Sequence, residues 1–223
     1  MTRPFSASLG RLPQFDERSR EYSIRTLVEP KPLRSYTWSC ATVLDQLSEG
    51  VCVGCAWAHE MAARPRVWPV DLQLARLIYR EATFIDPWPA NDQPVVNYNH
   101  GTSILAGAKI ATQLGHYKEY RWAFDMQEAL LALSYFGPGV AGVNWYESMY
   151  DPDASGLLHI TGQPVGGHAI LVNGLNVAKK LVRVHNSWGS SWGINGEAFL
   201  TFDDFERLLD ESGEFCIPVL RTK

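Results

Sequence analysis

The sequence predicts an α+β protein of two closely packed halves, helices first and a sheet after. Two patterns carry this: apolar residues at helical spacing dominate before Pro138, and short β-branched and aromatic runs dominate after it. A third supports a single compact unit: 223 residues with 46% hydrophobic side chains bury a sizeable core without disulfides or metals.

Residues 1–45 carry Pro4, Pro13, Pro30 and Pro32 with no sustained period, and read as an extended arm. Residues 46–137 form the helical half. Its first helix is expected to begin at Cys55 and run to Arg64, where Pro65 disfavours helical geometry in the residue before it. A second runs from Asp71, a capping residue, to Thr83, with Leu72, Ala75, Ile78, Tyr79 and Ala82 on one face. A Pro-rich connection, Asp86 to His100, leads to a third helix that starts at Thr102 or Ser103 and ends at Gly115. Asp125 and Glu128, in capping-box spacing, open a fourth that ends near Phe136.

Residues 138–223 form the β half. Strands are expected at Val140 to Trp145, His168 to Val172, Leu181 to His185 and Ala198 to Phe202; a short helix follows over Asp203 to Asp210, and a last strand over Glu214 to Leu220.

Composition excludes several functions. Twenty Lys and Arg against 24 Asp and Glu give a net charge of −4, without the basic footprint that nucleic acid demands. No apolar run approaches the ~20 residues of a membrane span. Met1 to Asp16 is polar and broken by prolines, unlike a signal peptide, so a cytoplasmic location is expected. The spacing of Cys52 and Cys55 permits zinc or redox readings, but no second ligand pair accompanies it, so neither a metal nor a cofactor is expected. Cys40 and Cys216 read as core thiols.

Thiol chemistry at neutral pH needs a thiolate, which a helix N-terminus and a nearby imidazole favour. Cys55, at the expected helix start, meets the first condition. His168, in V-G-G-H-A-I-L-V-N-G, stands at the start of an apolar strand where packing gives no reason for a polar side chain. Asn186, in V-H-N-S-W-G-S-S-W-G, ends the next strand, so neighbouring strand ends bring it to His168 with Trp188 as a cover. His59, one turn after Cys55, is a weaker alternative base. Trp192 reads as a core aromatic.

These residues resemble the papain-like cysteine peptidases over about Val43 to Phe202, in the order Gln, Cys, His, Asn. Asn186 to Gly193, N-S-W-G-S-S-W-G, is the most specific match. The resemblance implies a helical lobe carrying the nucleophile Cys55, an antiparallel β lobe carrying His168 and Asn186, and a cleft between them that binds a peptide or protein substrate. It also implies that Gln46 helps form an oxyanion hole. Gly101 and Thr102 take the place of a glycine pair that holds substrate backbone, while Gly167 and Trp188 shape the site.

This sequence departs from the family pattern in three ways. Gln46 precedes Cys55 by nine residues, three more than in plant and lysosomal members, which requires the oxyanion loop to bulge. Cys52 matches a family disulfide cysteine whose partner region, around Asn99, has no Cys. Only about forty residues precede the match, short of the usual helical propeptide, so bacterial or viral relatives fit better than lysosomal ones. The implied reaction is acyl transfer through a thioester. The alternatives are a Cys-His amidase or transferase on isopeptide or cell-wall substrates, and a binding module that has kept the fold without turnover. The arm of residues 1–45 is a candidate for regulating access to the cleft.

Overall fold

The helices of the first half follow their caps. In the computed structural model, which describes residues 8–88 and 99–221, α2 (Leu72–Thr83) starts where the Asp71 carboxylate accepts from Leu74 N at 2.9 Å. The Ser103 hydroxyl does the same for α3 (Ile104–Gln113), accepting from Ala106 N at 2.9 Å. Asp125 caps α4 (Met126–Tyr135), and the Glu128 carboxylate reaches back to Phe124 N. These three helices stand where the sequence pattern puts them. Of the connection after α2, residues 89–98 lie outside the described residues.

The first helix differs. It spans Cys52–Ala62 as α1, three residues earlier than expected, with Val51 as its N-cap. Val53 and Gly54 are poor helix formers, yet every α1 residue is buried, and packing on all sides outweighs propensity.

The sheet contains β1 (Tyr36–Thr37), β2 (Tyr117–Ala123), β3 (Gly139–Tyr146), β4 (Pro164–Asn176), β5 (Leu181–His185), β6 (Glu197–Thr201) and β7 (Glu214–Arg221). Its order is β2-β7-β3-β4-β5-β6, antiparallel throughout, with β1 added on β4. A helix α5 (Phe202–Asp210) joins β6 to β7 and begins at Phe202, the residue expected to end the strand, because the Thr201 hydroxyl caps it there. Strand β2 lies in the stretch of sequence expected to be helical and pairs with β7, at the other end of the sheet from β6.

Alternation along the strands sorts the core into two layers. Ala141, Val143, Trp145, Phe215 and Ile217 point toward α4 and α5. Val140, Ala169 and Cys216 point to the other face, where α1 and α3 bring Trp57, Ile104 and Leu105. Fully burying one such large apolar side chain contributes roughly 1.5–3 kcal/mol. The start of α1 thus lies on the sheet at β4. Among the described residues no helix is long and apolar enough to cross a membrane.

Candidate active site

Strand register brings His168 and Asn186 together. His185 pairs with Leu171 across β4 and β5, so Asn186, one residue past β5, lies level with the start of the buried stretch of β4. His168 Nε2 is 2.8 Å from Asn186 Oδ1. Ser187 N also donates to that oxygen at 2.8 Å, which identifies it as the amide oxygen. The His168 proton therefore sits on Nε2, and Nδ1 is left unprotonated with no hydrogen-bond partner. Trp188 stacks on the imidazole at 4.7 Å and Trp145 meets it edge-on at 4.8 Å, so water is excluded from both flanks. Burial pushes the His168 pKa down to about 4, against the opposing pull of Asn186.

The thiol that lies against Ala169, the residue after His168, belongs to Cys52. Cys52 is the first residue of α1, and Val51 offers no side-chain cap, so the first-turn N–H groups point outward with the positive end of the helix dipole. The backbone N–H groups of Ala169, the residue after His168, and of Gly10 and Val53 act on the Cys52 sulfur and favour its thiolate, as does Arg11. Burial opposes them and carries the pKa up to about 11.

Cys55 is not brought to the site. It sits one turn along α1, where its N–H bonds Val51 O at 3.0 Å in the helix, and its side chain packs with Leu44, Ala58, Ala75 and Tyr79. Burial pushes its pKa up, and the charges that act on it are Cys52, Glu49, Arg76 and Asp45. His59 is likewise elsewhere: its Nε2 accepts from Leu44 N at 3.0 Å, and its ring meets His185 at 4.4 Å.

Gln46 lies six residues before Cys52 and nine before Cys55. Its Oε1 accepts from Ser187 Oγ at 2.6 Å and its backbone N donates to Ser187 O at 2.9 Å, which ties the amide to the residue after Asn186. The Nε2 group donates to Ser8 O at 2.9 Å and Glu49 O at 2.6 Å. By sequence Cys52 matches a disulfide position, yet its six-residue separation from Gln46 is the spacing of the plant and lysosomal members.

Residues 8–12 of the arm lie against Gln46, Gly50, Thr102 and Gly167. Gly10 is pressed against Gly50 so closely that a Cβ on Gly10 would stand 1.9 Å from Gly50 O. On one wall Thr102 N donates to Gly10 O and Leu12 N donates to Thr102 O, both at 2.9 Å. On the other wall Arg11 N donates to Gly167 O at 3.0 Å, an approach that a side chain at residue 167 would block, since its Cβ would lie 2.2 Å from Arg11 O. Gly101, at φ +79°, turns the chain into Thr102, and its N–H donates to the Tyr79 hydroxyl. Gly101, Thr102 and Gly167 thus all border the arm, and Trp188 borders the imidazole.

Among the described residues no group of three or more His, Cys, Asp or Glu is placed to hold a metal ion.

No family model matches the sequence. Two curated relatives match locally. The "Uncharacterized peptidase C1-like protein L477" of Acanthamoeba polyphaga mimivirus is 39% identical over 64 residues, 26% of this chain and 21% of that protein. The "Cathepsin B-like cysteine proteinase" of Schistosoma japonicum is 31% identical over 85 residues, 36% and 25% of the two chains. The chain therefore spans a quarter or less of the length of these relatives. Solved structures match over the whole fold. Xylellain, a cysteine protease from Xylella fastidiosa, superimposes with a TM-score of 0.71 at 18% identity, covering 100% of this chain and 99% of that one. Procathepsin B S9 from Trypanosoma congolense gives 0.61 at 14% identity, over 99% and 86%, and the bromelain protease from Ananas comosus 0.61 at 15%, over 86% and 100%. The chain has the fold of the papain-like cysteine proteases.

Proposed function

We propose that the chain is a cysteine peptidase whose nucleophile is Cys52, with His168 as acid and base, Asn186 as orienting group and Gln46 as oxyanion donor. One observation carries this reading: a thiol at an uncapped helix start lies against the residue next to a histidine whose Nε2 is tied to Asn186 and whose Nδ1 is unpaired.

In this mechanism His168 Nδ1 takes the Cys52 proton, and the thiolate attacks the substrate carbonyl. The oxyanion is received by Gln46 Nε2 and the Cys52 N–H, each such donor being worth about 3 kcal/mol in other enzymes. His168 then passes its proton to the leaving amine, a thioester remains on Cys52, and His168 draws a proton from the water that hydrolyses it. Thr102 and Gly167 hold an extended substrate backbone by the same groups that hold residues 10–12, Gly101 shapes that wall, and Trp188 keeps water from the His168 to Asn186 bond.

The arm sets the resting state. Its Ser8 carbonyl takes the Gln46 amide and its Gly10 covers Cys52, so access requires displacement of residues 8–12. Four free thiols, Cys40, Cys52, Cys55 and Cys216, support residence in a reducing, cytoplasmic environment.

An epoxide or vinyl-sulfone electrophile followed by mass spectrometry tests the assignment. The adduct is expected on Cys52 and is lost in His168→Ala. Modification of Cys55 in place of Cys52, or labelling of Cys52 that ignores His168→Ala, overturns it.

A further inference from the structure

Two histidines that the proposed mechanism does not use hold the segment leading to Gln46. Residues 42–46 pair with the chain after Asn186 through one bridge, Asp45 to Trp188. Its two bonds run from Gln46 N to Ser187 O at 2.9 Å and from Gly189 N to Leu44 O at 3.1 Å. There the ladder stops and imidazoles continue it. Leu44 N donates to His59 Nε2 at 3.0 Å, and Thr42 O accepts from His185 Nε2 at 2.8 Å and more weakly from the Cys40 thiol at 3.4 Å. Both rings are buried, and they meet edge to face at 4.4 Å. Glu197, to which Asn173 and Arg183 donate, meets His185 Nδ1 at 3.4 Å and so aims Nε2 at Thr42.

From this we infer that His59 and His185 are positioning residues: together they fix residues 42–46 and, through them, the place of the Gln46 amide relative to the Cys52 N–H. The inference rests on the peptidase reading, in which those two donors receive the oxyanion. Each ring gives the segment a separate reference point. His59 stands on α1, the helix that Cys52 opens, so its bond to Leu44 ties Gln46 to the helix that supplies the other donor. His185 ends β5 directly before Asn186, so its bond to Thr42 ties the same segment to the strand that orients His168. A ladder of one bridge sets neither distance closely, and a misplacement of about 1 Å is costly in a reacting site. Because Nε2 of His59 accepts, its proton sits on Nδ1, where it is buried without a partner. A side chain that only filled this space would not carry the cost of that orphan donor. The bond to Leu44 is what the imidazole adds.

Two experiments on the full chain test this. In the first, amide hydrogen exchange followed by mass spectrometry reads the segment without any turnover. His59→Leu and His185→Leu are expected to raise exchange over residues 42–46 by about tenfold or more while α4 exchanges as in the parent, and His59→Gln, whose amide oxygen can accept from Leu44 N, to restore protection. Parent-like exchange in both Leu variants overturns the inference. Should a Leu variant fail to fold, His59→Asn, whose amide stops short of Leu44 N, is set against His59→Gln: faster exchange in the Asn variant supports the inference, and equal exchange overturns it.

In the second, fluorogenic peptidyl amides are offered in an Arg11→Ala background, which removes the ion pair that holds the arm to Glu214 at 2.5 Å. His59→Leu and His185→Leu are expected to lower kcat by about tenfold with KM changed by less than about twofold, and to alter kcat by less than about twofold once Gln46→Ala is present. His59→Gln is expected to restore most of the rate. A loss of kcat that is the same with and without Gln46, or a change confined to KM, overturns the inference. If Cys52 labels normally but no chain cleaves the amides, the peptidase reading fails, and the exchange series alone decides whether the two rings hold the segment.

Discussion

Cys52 and Ala169 meet where the two halves of the molecule join: the Ala169 N–H, one residue after His168, acts on the sulfur that opens α1. The contact fixes which of two cysteines, three residues apart on one helix, faces the imidazole strand. One turn of helix separates a thiol at an open N-terminus from one sealed against α2.

Cys52→Ala is expected to abolish peptide hydrolysis and electrophile labelling, while Cys55→Ala keeps both. The second variant loses a buried sulfur packed on Ala75 and Tyr79 and is expected to be less stable by about 1 to 2 kcal/mol. Urea melts of the two variants, run beside a labelling assay, check both halves of this expectation. Activity that disappears with Cys55 and persists without Cys52 would reverse the assignment.

Gln46→Ala removes the amide that Ser187 Oγ holds at 2.6 Å and that presents its N–H groups to the Ser8 carbonyl. If that carbonyl stands where an oxyanion forms, kcat should fall by about 10²- to 10³-fold with little change in KM. Steady-state kinetics in an Arg11→Ala background supply the comparison. A change confined to KM would make Gln46 a substrate-binding group instead.

The same backbone supports a sharper expectation for Asn186. Its Oδ1 accepts from both His168 Nε2 and Ser187 N. Asn186→Ala frees the imidazole to rotate and to place its proton on either nitrogen, so kcat should drop by about tenfold or more while Cys52 still labels. Asn186→Asp keeps the acceptor and should restore most of the rate. Failure of that rescue would show that Asn186 serves packing under Trp188 more than orientation.

How legible this was in the sequence varied with the reach of the forces involved. Helices α2, α3 and α4 were readable because Asp71, Ser103 and Asp125 cap them locally. The pairing of His168 with Asn186 was readable because polar side chains at the ends of apolar strands are conspicuous. The start of α1 was not, since Val53 and Gly54 argue against a helix and burial of the whole element overrules them. Strand β2 was missed because its charged run, Lys118 to Arg121, hides the alternation, and its place is set by pairing with β7 about a hundred residues away. Nothing local in residues 8–12 announces that they pair with Thr102 and Gly167; Arg11 finds Glu214 only through the finished fold.

Stability should show a plateau near neutral pH with losses on both sides. On the acid side, burial holds His168 neutral down to about pH 4 in the folded chain, and His59 well below its ordinary value. An unfolded histidine takes its proton near 6.5. Between those values the unfolded chain binds more protons than the native one, so stability falls as pH drops from about 6.5 toward 4, by at most about 1.4 kcal/mol per pH unit for each such group. On the alkaline side the sign reverses. Cys52 keeps its proton up to about 11 when folded, whereas an unfolded thiol loses it near 8.5, so stability declines again over that interval. Urea midpoints from pH 4.5 to 10 are expected to trace this plateau, and His168→Gln should make the acid limb shallower, with the His59 share remaining, while leaving the alkaline limb in place. A midpoint that stays constant between pH 7 and 5 would mean that His168 and His59 are not held neutral by burial, and the closed arrangement of arm, thiol and imidazole would have to be abandoned.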